Sequence, residues 1–209
     1  RPCFHDDYLP TFNLRNVTLV DTEGKGVECI TEKGVRANGV EYELDCIIFA
    51  TGFEVGTDYS RRCGYEIYGR DGTSLTEKWA DGARTFHGLH SRGFPNCFMM
   101  GHIQTGFTAN YPHALNEQGK HITYIIKNCH DGNQRVVETS EQAEEEWIET
   151  IIRLARNNEE FLADCTPGYY NNEGKPQERF LQNSNYGAGS EAFFKVLRQW
   201  RDEGSMQGL

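Results

Sequence analysis

Short apolar blocks, separated by polar stretches rich in glycine, set the rhythm of this chain, and each block predicts an element. The clearest is Cys46-Ile47-Ile48-Phe49-Ala50, apolar at every position, which predicts a strand buried on both faces in the parallel interior of an α/β sheet. It ends in Thr51-Gly52-Phe53, and a glycine at the carboxyl end of such a strand lets the backbone turn sharply and approach a ligand. Val17 to Val20 and Val27 to Thr31 predict two further strands, and Gly39 to Leu44 an edge strand leading into the buried one. Arg1 to Asn13 carries Pro2 and Pro10 and alternates poorly, so an extended crossing segment is expected there. Leu75 to Trp79 has room for one helical turn, and Asn96 to Met100 predicts another strand, ending at Gly101. From there on, helical spacing dominates. Leu115, Ile122, Ile125 and Ile126 follow a Pro112 entry and predict a helix over Ala114 to Cys129. Ser140 caps a second helix carrying Trp147, Ile148, Ile151, Ile152 and Leu154, and Ser190 to Trp200 repeats the form with Phe193, Phe194, Val196 and Leu197. Cys165 to Asn185, rich in Asn, Tyr and Gly, is expected to be an irregular loop.

At 209 residues, with 12% aromatic and 25% charged residues, the chain has a globular rather than a disordered composition. Its net charge of -10 and the absence of a basic stripe make nucleic acid an unsuitable partner. The acids of Glu141-Gln142-Ala143-Glu144-Glu145-Glu146 are expected on a solvated helix face. No apolar run approaches the roughly 20 residues that span a bilayer, so no membrane partner is expected. Seven cysteines without a Cys-x-x-Cys pair argue against a disulfide framework or a zinc site and suit a reducing cytoplasm, with Cys46 and Cys97 as small buried hydrophobes. No Gly-x-Gly-x-x-Gly occurs, so the chain lacks the loop and helix N-terminus on which a dinucleotide's pyrophosphate rests.

Asp45 to Phe53 resembles the Asp-x-x-x-x-Ala-Thr-Gly-Phe signature of flavin-dependent monooxygenases, and its surroundings resemble one branch, the Baeyer-Villiger monooxygenases. Arg1, Asp7-Tyr8, Phe12-Asn13 and Asn16 to Asp21 match the stretch before that signature. Glu77 to Gly82, Gly93-Phe94-Pro95-Asn96, Asn116-Glu117-Gln118 and Gly174-Lys175-Pro176 follow in the family's order. The resemblance covers almost the whole chain. It implies the C-terminal part of a two-dinucleotide-binding flavoprotein fold, whose two glycine-rich loops belong to N-terminal domains of the same enzyme. Residues 1–15 then cross over from the NADP domain, 16–139 complete the FAD domain, and 140–209 form a helical C-terminal region with a cofactor-facing loop.

The activity so implied uses NADPH to reduce FAD, then O2 to form a flavin peroxide that inserts one oxygen atom beside a ketone carbonyl, giving an ester or lactone. Such a site must stabilise developing negative charge away from water, a task suited to the permanent charge and rigid fork of an arginine. Matched to the family's pattern, Arg1 falls on the active-site arginine. Thr51, Gly52 and Phe53 fall on the turn against FAD, and Asn110 and Tyr111 in a loop lining the flavin and substrate pocket. That loop carries one residue more than compact members do, and Tyr111 reads equally well as a packed aromatic. Thr166, Asn171 and Asn172 lie in a segment matching a loop that closes over NADP, where Thr166 or Pro167 replaces a tryptophan found in some members; the asparagines could instead shape a turn. His102 and His113 read as structural hydrogen-bonders. Two other readings stay open: an N- or S-oxygenating flavin-containing monooxygenase, and a non-catalytic α/β module when the chain stands alone.

Overall fold

The structure is a computed structural model that describes residues 4–52, 59–155 and 181–209, and it divides into two units, Arg1–Gly52 and Phe53–Leu209. In the first unit the expected extended segment contains a helical turn instead, α1 (Tyr8–Thr11). Pro10 lies inside its first turn, where a missing N–H costs no hydrogen bond, and both the N–H and the hydroxyl of Thr11 donate to the Asp7 carbonyl at 3.0 and 2.6 Å. Val17 to Val20 forms no strand, because no described strand pairs with it.

The sheet of this unit is an antiparallel meander of β1 (Cys29–Ile30), β2 (Gly34–Ala37) and β3 (Val40–Glu43), in the order β1-β2-β3. β1 and β3 fall within the expected strands, and β2 is a further strand that the apolar pattern does not predict. Its signal was Asn38-Gly39, where φ values of 52° and 73° give the doubly left-handed turn that matches strand twist in two-residue hairpins. Gly34 is required for the pairing, since a Cβ there would lie 1.9 Å from the Tyr42 carbonyl oxygen.

Cys46 to Ala50, expected as a doubly buried parallel strand, is neither strand nor buried. Ile48 is 85% and Phe49 70% exposed, and Cys46 is exposed as well. A strand apolar on both faces needs neighbours along both edges and cover above and below, and among the described residues none pairs with this run.

The second unit is built on three helices, α4 (Tyr111–Asp131), α5 (Glu141–Leu154) and α6 (Ser190–Glu203), preceded by the short α2 (Tyr59–Cys63) and α3 (Leu75–Lys78). Asn110 and Ser140 cap α4 and α5 through their side-chain oxygens, which accept from His113 N at 3.3 Å and Ala143 N at 3.2 Å. α6 is capped by Gly189 rather than through a Ser190 side chain, and stops at the left-handed Gly204. Inward faces recur at helical spacing: Ala114, Gln118, His121, Ile125 and Cys129 on α4; Ala143, Trp147, Ile148 and Ile151 on α5; Phe193, Phe194, Leu197 and Trp200 on α6. Trp147 anchors the core, stacked on Tyr186 at 5.5 Å and tilted against Phe193 at 6.1 Å. Asn96 to Met100 runs without strand pairing. Met99 N donates to the Leu89 carbonyl at 2.9 Å, while Asn96 exchanges bonds with Val137, so the stretch is held by loop contacts rather than a ladder.

Glu144 corrects the reading of the acidic run. Glu141, Glu145 and Glu146 are exposed, but Glu144 shares the face of Trp147, Ile148 and Ile151 and is 1% exposed. Its carboxylate accepts from Lys78 at 2.9 Å, Arg84 at 3.4 Å, the Arg92 backbone N–H at 2.8 Å and the Ser91 hydroxyl at 3.4 Å, fastening the 84–92 loop and α3 to α5. Glu144→Ala is expected to destabilise the second unit by about 3 kcal/mol, the lower end of the range for a broken buried pair because Lys78 and Arg84 can turn to water. Glu144→Gln, which keeps an acceptor for Arg92 N–H, is expected to lose roughly half of that. Chemical denaturation read by tryptophan fluorescence checks both. Equal midpoints for wild type and Glu144→Ala would refute the assignment.

Candidate functional site

The second unit presents one loop built to unusual rigidity, from Gly101 to the start of α4. Gln104 sits at a left-handed φ of 55° with its side chain fully buried. Its amide donates to the carbonyls of Ala83 at 2.7 Å and Gln182 at 2.8 Å and accepts from the Thr85 hydroxyl, while its backbone carbonyl receives Trp147 Nε1–H at 3.3 Å. Gln118, also fully buried, exchanges two bonds with Gly101: its Oε1 accepts from Gly101 N–H at 3.1 Å and its Nε2 donates to the Gly101 carbonyl at 2.8 Å. Thr105 adds a bond from its hydroxyl to the same carbonyl at 2.8 Å. Gly106 lies so close to α6 that a Cβ would be 2.8 Å from Phe193 Cδ1 and 3.0 Å from Ser190 Cα. Every polar group of these fully buried amides is therefore engaged, which fixes the loop in one shape.

Beyond Gly106 the chain turns outward. Phe107, Ala109 and Asn110 are exposed, and Tyr111 is half-buried with its ring 6.3 Å from Phe107. Asn110 and Tyr111 thus stand together at the N-terminus of a 21-residue helix. The cap uses the Asn110 side-chain oxygen and leaves its amide N–H groups as donors for a ligand. Tyr111 packs along the edge of the core, so the packed-aromatic reading describes one side of its ring.

Thr51 and Gly52 end the first unit, both exposed. Gly52 has φ of 76°, and a Cβ built there meets nothing within 4 Å, which leaves its face open to a closely approaching group. Arg1, Phe53, Thr166, Asn171 and Asn172 lie outside the described residues.

The sequence reading missed a histidine cluster. His87, His90 and His121 are buried at 4%, 3% and 0% exposure, and His87 and His121 meet edge to face at 5.5 Å beside Trp147 and Trp200. Burial drives all three toward the neutral form, His90 to about 4 and His121 to about 3, with mutual repulsion adding to the effect on His87 and His121 and Arg201 adding to it on His121. No spacing could have revealed it, because loop and helix meet only in the fold. Among the described residues no group of three or more His, Cys, Asp or Glu side chains is placed to hold a metal ion. His102 lies edge-on to Phe107 at 6.5 Å, and His113 is exposed beside Phe194 at 5.3 Å.

The fold is that of part of a two-dinucleotide-binding flavoprotein monooxygenase. A polycyclic ketone monooxygenase from Thermothelomyces thermophila superposes with a TM-score of 0.80 at 38% identity, over 100% of this chain and 34% of that one. A structure described as OTEMO in complex with FAD and NADP gives 0.72 at 25% identity, over 97% of this chain and 36% of that one. In sequence, the chain is 56% identical over 211 residues to pentalenolactone D synthase of Streptomyces exfoliatus and 41% identical over 210 residues to "Baeyer-Villiger monooxygenase ATR8" of Stachybotrys chlorohalonatus. Both matches take in 100% of this chain, and it spans only 36% and 34% of those proteins. No family model matches. By sequence and fold together, the homologues of this chain are Baeyer-Villiger monooxygenases, and the chain corresponds to about a third of such a protein. No described helix is long and apolar enough to cross a membrane.

Proposed function

We propose that the chain serves as the C-terminal part of an FAD- and NADPH-dependent Baeyer-Villiger monooxygenase that converts a bulky or cyclic ketone and O2 into an ester or lactone. The observation that carries this reading is the match to pentalenolactone D synthase at 56% identity over the whole of this chain, joined by the fold shared with a polycyclic ketone monooxygenase. FAD, reduced by NADPH, supplies the activation of O2 when it is bound. Each unit taken by itself offers groups that suit a flavin, an open left-handed turn at Gly52 in the first and the amide donors of Asn110 in the second, whereas no Gly-x-Gly-x-x-Gly loop is present for the pyrophosphate of FAD.

In this reading Arg1 is the catalytic cation, Thr51, Gly52, Phe53, Asn110 and Tyr111 orient the flavin, and Thr166, Asn171 and Asn172 face NADP. Residues 1–15 are the crossover, 16–139 complete the FAD domain, and 140–209 form the helical region. The exposed apolar run Ile47-Ile48-Phe49 becomes a parallel strand once the rest of the enzyme supplies its neighbours, in a cytoplasmic protein.

The test is to express the full-length protein and follow ketone-dependent NADPH consumption under labelled O2 while identifying the product. A lactone or ester carrying one labelled oxygen is the expected outcome. Nitrogen or sulfur oxygenation with no ester from any cyclic ketone would move the protein to the flavin-containing monooxygenases.

A further inference from the structure

We infer that Gln118 is the positioning residue of the flavin- and substrate-facing loop, holding Phe107 to Tyr111 in register by closing the chain between Gly101 and α4 into a rigid circuit. The inference rests on the proposed function for what the loop faces, and on geometry alone for how the loop is held. Gln118 lies seven residues beyond Tyr111 on the same helix, about two turns along it, and reaches back to both backbone groups of Gly101, 17 positions earlier. The side chain thereby ties the beginning of the loop to the helix that carries its end. Such a closure removes the freedom of the segment between, and Asn110 and Tyr111 are the last residues of that segment.

The chemistry is specific to a primary amide of this length. Gly101 presents an N–H and a C=O to one side chain, so the partner must accept and donate at once, as a strand edge would. Glutamate keeps the acceptor but offers no donor to the Gly101 carbonyl or to Thr105 Oγ1, which lies 3.4 Å from Gln118 Nε2. Methionine fills the volume and makes neither bond. Because Gln118 is fully buried, water cannot replace what is lost. Neither Gly101 nor Gln118 belongs to the exposed rim of Phe107 to Asn110, so the residue acts through the loop and not by touching a ligand.

The experiment compares wild type, Gln118→Met and Gln118→Glu in the full-length flavoprotein. Three readouts separate positioning from mere stability: backbone hydrogen exchange of the 101–110 segment, the rate at which NADPH reduces the bound flavin, and the ketone KM together with the share of NADPH oxidation ending in hydrogen peroxide. Expected in both variants are FAD content and flavin reduction within about twofold of wild type, faster exchange confined to the loop, a ketone KM raised roughly tenfold and a severalfold larger peroxide share. Unchanged KM and coupling alongside a lowered melting temperature would overturn the inference and leave Gln118 a structural residue. A wild type that oxygenates nitrogen or sulfur instead of ketones would sink the functional reading alone. The KM for that substrate and the loop's exchange would then decide the role of Gln118.

Discussion

Replacing Arg1 with alanine in the full-length flavoprotein is expected to lower ester or lactone formation by about 10²–10³-fold while FAD remains bound, the loss typical of removing one donor aimed at developing negative charge. Baeyer-Villiger oxidation builds that charge on the former ketone oxygen in a site that must exclude water, where a permanent cation is worth most. The buried histidines cannot supply it. His87, His90 and His121 are held neutral at working pH, His90 with a value of about 4 and His121 of about 3. Arginine stays charged at any working pH and offers several donors in a fixed fork, so Arg1→Lys, which keeps charge and loses the fork, is expected to fall between wild type and alanine. Product formation per bound FAD, at saturating NADPH and ketone, reads the effect. An Arg1→Ala enzyme that makes ester at the wild-type rate would remove Arg1 from the mechanism, and the search for the cation would pass to the residues around it.

How far the sequence carries depends on whether a feature is local. α4, α5 and α6 were legible because an amphipathic period is written into consecutive positions, helped by the Pro112 entry of α4 and the Ser140 cap of α5, whereas the Ser190 cap expected for α6 gives way to Gly189. The Cys46 to Ala50 pattern was equally legible, yet pattern specifies a demand for burial and only neighbouring strands can satisfy it. Asn96 to Met100 failed for the related reason that an apolar run is not a strand without a ladder. Of the candidate site, Asn110 and Tyr111 were reached through resemblance as loop residues, and the helix that spacing predicts from Ala114 begins three residues earlier, with Asn110 as its cap. What holds them there was not legible, because Gln104 and Gln118 look like ordinary polar residues until the fold buries them against Ala83, Gly101 and Gln182. Glu144 was hidden in the same way inside a charge run, although its spacing to Trp147, Ile148 and Ile151 marked it as inward-facing. The roles proposed for Arg1 and the 165–176 segment rest on resemblance alone, since no local pattern sets one arginine apart from another.

Acid is expected to weaken the second unit as the pH falls below about 6.5. His87, His90 and His121 are neutral in the folded protein, whereas in the unfolded chain each takes up a proton as the pH falls through about 6.5. The unfolded state therefore binds more protons below that point. Stability is full above about pH 6.5 and declines as pH falls, the loss continuing to about 4 for His90 and about 3 for His121. Near pH 5 each histidine contributes a slope of roughly 1 kcal/mol per pH unit, so the three together remove several kcal/mol between pH 7 and 5, comparable to the whole stability of many domains. Glu117 and Glu138 are held below their ordinary range by Lys120 and Arg70, so they stay ionised in this window and do not confuse the reading. Around His121 the nearest charge is Arg201, whose guanidinium lies 3.5 Å from Nδ1 and opposes protonation further. Denaturation midpoints from pH 7 to 5, followed through Trp79, Trp147 and Trp200, which all lie in the second unit, measure the slope. His90→Asn and His121→Asn should each flatten it by about a third relative to wild type, since each removes one of three nearly equal proton uptakes. A wild-type stability that stays level from pH 7 to 5 would mean that the cluster opens to solvent and is not the sealed, neutral core that its burial describes.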